Sequence, residues 1–199
     1  MARARQQRGS FSTTVQRFVE GEAPEASKRW LIGKARELHD DSVRRNRAAL
    51  NGYRGASILT VDGIEEKSLE DVQPFGRVQE EFEILGWAID YVIGLLHRFS
   101  PVKSGDYLHG HELLVNGAPY TIGAPLRPGD TAEFINRMPY ARRIERGWSQ
   151  HAPSGVYAAV AGIARRRIGS LVRIETTARR IRGGGQDLPA IRLIPRRPA

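Results

Sequence analysis

The chain has no cysteine and two methionines, and only Lys28, Lys34, Lys67 and Lys103 are lysines. The missing cysteine excludes disulfide staples, zinc ribbons and thiol chemistry together. No run of about 18 uncharged apolar residues occurs, so no membrane-spanning helix is expected. The opening Met1-Ala-Arg-Ala-Arg is basic with no apolar stretch behind it, which argues against a secretory signal. G-x-S-x-G, H-E-x-x-H, Walker and G-x-G-x-x-G patterns are absent, as are Cys/His fingers and RNA-recognition signatures. No catalytic, cofactor-binding or metal-ligating residue is therefore assigned, and no cofactor is expected. Without a staple, the 199 residues, 40% hydrophobic and 27% charged, must be held by an ordinary core, by partner subunits, or by both.

What the sequence does have is arginine, unevenly placed. Residues 1–100 carry 15 Lys+Arg against 15 Asp+Glu, whereas residues 101–199 carry 16 against 7 and supply the whole net charge of +9. Residues 160–199 alone hold 10 Arg against Glu175 and Asp187. Guanidinium groups fork onto phosphate or carboxylate, so Arg165, Arg166, Arg167, Arg179, Arg180 and Arg182 are candidate contacts to DNA or to an acidic partner face. Two blander readings stand beside this. A GC-rich genome enriches arginine, and the consecutive Arg165–Arg167 fan over about 200° of a helix, as a solubilising helix end would.

Periodicity outlines the elements. Residues 1–10 read as a flexible basic arm, and Ser12 or Thr13 as the cap of a helix over 12–20. Ala26, Trp30, Leu31, Ala35, Leu38 and Val43 follow helical spacing from Glu25 to Ala49. Ser57–Val61 reads as a strand closed by Asp62-Gly63, residues 64–74 as an acidic surface loop, 77–84 as a strand and 86–99 as a helix. Strands are expected over Tyr107–Val115, Ala132–Met138, 171–176 and Ala190–Ile194. Helices are expected after Pro139 and over 156–168. The order predicts an α+β fold: an antiparallel sheet with helices packed on one face, plus extended N- and C-terminal arms. A single domain is expected over 11–182, with a helical part at 11–50 and a core at 56–182. Residues 183–199 read as a Gly/Pro/Arg-rich tail.

Two clusters invite chemistry. His109 and His111 at i, i+2 would face one way in a strand and could share a metal with His151, Glu112 or Asp106, or they are simply polar surface. Glu80, Glu81 and Glu83 could serve acid–base work, or form an acidic strand face.

The most specific segments are Pro101-Val102-Lys103-Ser104-Gly105, at the end of a predicted helix, and Asn136 followed by Tyr140-Ala141, Ile144, Glu145 and Gly147. Pro101 stops a helix, and Gly105 permits a turn with positive φ. Lys103 and Ser104 would donate to carbonyls left open at the helix end. Tyr140, Ile144 and Trp148 give a short helix one apolar face, with Glu145 outside it and able to pair with Lys103 or an arginine. Together, over residues 76–175, these segments resemble the tail-completion, tail-terminator and neck proteins of long-tailed bacteriophages. The resemblance implies a structural virion protein and not an enzyme. It implies a homo-oligomeric ring, six-fold by usual practice, around the DNA channel at the head–tail junction, assembled in the host cytoplasm. Implied partners are further copies of itself, a head-side adaptor or connector, tail-tube proteins, and genomic DNA through non-specific contacts. Membranes are not implied. The alternative from composition alone is a sequence-independent nucleic-acid-binding protein using the basic C-terminal half.

Overall fold

A computed structural model describes residues 2–6, 12–17, 24–50, 57–102, 104–180 and 187–196. The fold is α+β, as expected, but it divides into two compact units, one extending to Ile84 and the other formed by Leu85–Arg196. Each unit contains one five-stranded sheet and its own buried apolar cluster.

In the first unit, helix α1 (Pro24–Ala49) starts on a proline whose missing N–H costs nothing there. It buries Ser27, Leu31, Ala35, Leu38, Ser42 and Asn46, a stripe at spacings of three and four. Five antiparallel strands accompany it: β1 (Ala2–Gln6), β2 (Ser12–Arg17), β3 (Ser57–Val61), β4 (Ile64–Glu65) and β5 (Arg77–Phe82), in the order β1-β2-β5-β3-β4. The helix predicted from Ser12 is thus a strand. Thr13, Thr14 and Val15 are β-branched, and Val15 lies opposite Val78, buried with Leu31, Leu38 and Val61. Much of the expected N-terminal arm is likewise strand β1, paired with β2 from Ala2↔Arg17 to Gln6↔Thr13. The acidic segment 64–74 is more ordered than a plain loop. Asp62 accepts from Lys67 Nζ (2.7 Å) and from the amides of Gln73 (2.9 Å) and Arg77 (3.0 Å). These contacts hold its carboxyl below its ordinary pKa although burial opposes them. A 3-10 turn at Leu69–Asp71 follows, capped by Ser68.

The second unit begins with α2 (Leu85–Phe99), which buries Leu85, Ala88, Ile89, Val92 and Leu96. After the helical turn α3 (Asp106–His109) come β6 (His111–Val115), β7 (Ala118–Pro119), β8 (Ala132–Asn136), α4 (Ala141–Glu145), α5 (Val156–Ile168), β9 (Val172–Arg180) and β10 (Asp187–Pro195). The antiparallel sheet runs β7-β6-β8-β10-β9, and α2 and α5 pack on it. The strand expected at Ala190–Ile194 is present and extends over Asp187–Pro195, and within the stretch read as a tail it is an interior strand: Ile191 lies opposite Phe134 on one side and Thr176 on the other. Pro189 and Pro195 lower its strand signal, yet both lie outside Ala190–Leu193, the stretch paired on both sides. The Gly183–Gly185 joint lies outside the described residues. Truncating the chain before Asp187 is expected to abolish cooperative melting of this unit, followed by near-UV circular dichroism. Retention of a native-like transition would return the segment to the status of a tail.

Candidate functional site: a buried polar centre in the second unit

The two motif segments, separated by about thirty residues of chain, meet in space. Gly105 (φ +82°) precedes α3, which carries Tyr107 inward. Asn136, fully buried at the end of β8, donates from Nδ2 to the Tyr107 carbonyl (2.8 Å) and accepts on Oδ1 from the Met138 amide (2.9 Å). It thereby ties the end of one motif half to the start of the other. His111 sits beside it, with Nε2 2.7 Å from Ser100 Oγ and Nδ1 2.9 Å from the Tyr157 hydroxyl. The Tyr107 ring meets His111 edge-on at 5.3 Å.

Glu145, the last residue of α4, holds the start of α5. Its Oε1 accepts from the amides of Val156 (2.8 Å) and Tyr157 (3.0 Å), and Oε2 from Tyr157 (3.1 Å). The Tyr107 hydroxyl donates to the same carboxylate at 3.2 Å. The first amides of a helix have no partners inside it, and its N-terminus carries partial positive charge. Gly155, the residue before α5, has no side chain to fill that role, and a Cβ there would lie 2.7 Å from Glu145 Oε2. The carboxylate comes from ten residues upstream instead. The turn between them needs Gly147, at φ +80°, where a Cβ would meet the Pro153 carbonyl oxygen at 2.5 Å. The spacing Glu-x-Gly is thus a helix cap delivered through a tight return.

Burial, reinforced by the charge of Glu145, pushes the Tyr107 hydroxyl well above its ordinary pKa. Burial and the charge of the neighbouring groups Tyr107 and Glu145 do the same to Tyr157. Both remain donors at neutral pH. His111 is lowered to about 4, chiefly by burial and secondarily by the charge of His97, so it is neutral at pH 7. Ser100 and His111 stand at the separation of a nucleophile and its base. The other His111 nitrogen, however, faces Tyr157 and Asn136 (3.3 Å) instead of a carboxylate. The adjoining cleft, of about 320 Å³, is lined by Arg142, Glu145, Arg146 and Tyr157 but by neither Ser100 nor His111. The arrangement is suited to holding backbone segments in register.

Several expectations change. Ser104 Oγ donates to Asp106 Oδ2 (2.8 Å) and to no helix-end carbonyl, and Lys103 lies outside the described residues. Glu145 pairs with no arginine among the described residues, because its oxygens receive the α5 amides. Tyr140, Ile144 and Trp148 do not share one apolar face, since α4 ends at Glu145. Ile144 is buried, while Tyr140 is exposed and Trp148 is 73% exposed with the Arg143 guanidinium 5.5 Å from its ring. His109 lies in α3 and His111 in β6, so they share no strand face, and no metal-binding group of three appears among the described residues. In the first unit, Glu80 is buried, accepting from Ser57 Oγ (2.5 Å) beside His39 Nδ1 (2.8 Å), while Glu81 is exposed.

The arginines also sort differently. Arg165 donates to the Ile174 carbonyl (2.8 Å) and Thr176 Oγ1 (3.3 Å). Arg179 pairs with buried Glu133, which Arg192 also meets at 3.3 Å, and Arg180 pairs with Asp187 at 3.1 Å. Arg182 lies outside the described residues. Arg166 and Arg167 remain exposed at the C-terminal end of α5, without a carboxylate partner among the described residues. Arg142, Arg143 and Arg146 are equally unpaired among the described residues and belong to α4, at the other end of α5. A 13-residue helix is about 20 Å long, so the unpaired cations form two separate groups. The sequence reading marked His111 only as a possible metal ligand with His109 and did not mark Ser100 or Tyr157, because no local motif joins positions on separate elements.

Glu145→Ala is expected to destabilise the second unit by about 2 kcal/mol in denaturant melts, with Glu145→Gln less damaging because one acceptor oxygen survives. His111 is neutral when folded and protonates more readily when unfolded. Its stabilising contribution is therefore complete above about pH 6.5 and is lost as pH falls toward 4. The thermal midpoint should fall through that window, and His111→Gln should flatten the fall. An unchanged slope would show that His111 is not the group responsible. Compared with known proteins, the chain matches no family model, no curated protein and no solved structure.

Proposed function

We propose that the chain is a structural protein of a bacteriophage head–tail junction, a neck, tail-completion or tail-terminator protein that forms a ring around the DNA channel and joins tail to head. The observation that carries this reading is the convergence of the two motif halves. Gly105, Tyr107, Asn136, Glu145 and Gly147 build one buried centre, so residues that resemble the neck proteins act together as a scaffold. The polar groups at that centre are engaged with backbone and with one another, which favours assembly over turnover. Rings arise when head-to-tail contacts close after a whole number of subunits. Partners on this reading are further copies of the chain, a head-side adaptor and the tail tube, with genomic DNA contacted without sequence readout.

The test is to assemble particles without this protein. Filled heads and separate tails should accumulate, and adding the purified chain should restore joined particles. Normal virions made in its absence would end the reading. Arg166→Ala/Arg167→Ala should lower the yield of joined particles while leaving the melting temperature unchanged, whereas Arg165→Ala should lower the melting temperature through its lost bonds to β9.

A further inference from the structure

Charge is unevenly placed along the chain: up to Ile84 there are 14 Lys+Arg against 14 Asp+Glu, with the excess of cations in residues 1–56 and the excess of anions in residues 57–84. Residues 57–84 carry eight Asp+Glu against Lys67 and Arg77, whereas residues 85–196 carry 16 Lys+Arg against eight Asp+Glu. Within the second unit, α4 and the turn after it present Arg142, Arg143 and Arg146, all exposed and without a carboxylate partner among the described residues. Beside them stand Tyr140 and Trp148, 37% and 73% exposed. A cleft of about 450 Å³ is lined by Pro139, Tyr140 and the three arginines. Tyrosine, tryptophan and arginine are the residues that carry most binding energy at protein interfaces, and here all three types are grouped on one exposed surface.

The first unit offers the complementary features. A cleft of about 210 Å³ has apolar walls formed by Val15, Leu59, Leu69 and Val78. Arg36 in its wall is already neutralised by Glu70 at 2.6 Å. The segment that supplies Leu69 also carries Glu65, Glu66 and Asp71, exposed and without side-chain partners among the described residues, and Ile64 at 58% exposure. One surface thus has a large exposed aromatic ring, with Arg143 5.5 Å from it, next to a cleft lined by three cations without carboxylate partners among the described residues. The other has a cleft with apolar walls, also lined by Arg36, His39 and Glu80, and the segment that supplies its Leu69 carries three unpaired anions.

We propose that these surfaces dock between two copies of the chain: Trp148 of one copy enters the Leu59–Leu69 cleft of the next, while Arg142, Arg143 and Arg146 face Glu65, Glu66 and Asp71. The contact joins different surfaces of identical chains, so it is heterologous and propagates until it closes. It deepens the ring reading above and rests on it for its biological sense, while its physical content is testable on the purified chain. Desolvated charge pairs around an aromatic anchor set partner choice and register, and the exposed rim makes the association salt-sensitive.

The experiment uses the full chain in sedimentation velocity over a concentration series at low and high salt. Self-association is expected at low salt and should weaken as salt rises. Trp148→Ala should weaken it at least tenfold. Two charge-reversed variants, R142E/R143E/R146E and E65R/E66R/D71R, should each be monomeric at concentrations where the original chain associates, with unchanged melting temperatures. Mixed in equal amounts, they should associate again, because each restores the missing partner of the other, and a chain carrying both sets should recover alone. Association that survives both reversals would overturn the proposed contact while leaving a ring built through other surfaces. Failure of the mixture to recover would overturn it too. A chain that stays monomeric throughout would also overturn it, and the particle assay above would then judge the head–tail reading by itself. Loss of oligonucleotide binding in R142E/R143E/R146E, with self-association unchanged, would reassign the arginines to nucleic acid and overturn the proposal.

Discussion

The second unit depends on one carboxylate placed at the start of a helix. Glu145 receives the first amides of α5 and the hydroxyl of Tyr107, so it fixes α4 to α5 and both to α3. A local cap would satisfy the same amides but bind nothing else. A cap supplied from another helix converts a routine end effect into a tertiary constraint, because moving α4 would leave α5 uncapped. Asn136 acts in the same way on the backbone, serving β8 and α3 with one side chain. Buried polar networks of this kind stabilise a fold only when every member is satisfied, and here each named group has its partner.

The same constraint gathers titratable groups whose protonation is set by burial. Tyr107 and Tyr157 are kept protonated and His111 is kept neutral by the burial that makes their hydrogen bonds strong. The surface arginines fall into those bonded to their own chain, as Arg165, Arg179 and Arg180 are, and those left unpaired on α4 and at the end of α5. The positive charge of residues 160–199 is partly offset from outside that stretch by Glu133 of β8, which Arg179 and Arg192 share.

The fold was legible where spacing alone decides. The stripe through Leu31, Ala35 and Leu38, the alternation of Val78, Glu80 and Phe82, and the apolar face of α2 all formed as the sequence indicates. Errors fell where pairing decides. Ser12–Arg17 has a plausible helix cap, yet its Val15 is buried opposite Val78, a contact sixty residues away in sequence. The strand expected at Ala190–Ile194 forms as part of Asp187–Pro195, but only pairing shows that it inserts between β8 and β9.

By itself, the sequence determined the α+β class, the main helices and the turn at Gly105, since periodicity and a positive-φ demand are local properties of the chain. The tertiary structure alone decided that there are two sheets in two units, that Glu145 is a cap and not an ion-pair partner, and which arginines remain unpaired. Those outcomes depend on residues far apart in sequence meeting in space, and the partner of a buried charge or strand edge is not encoded by its neighbours along the chain.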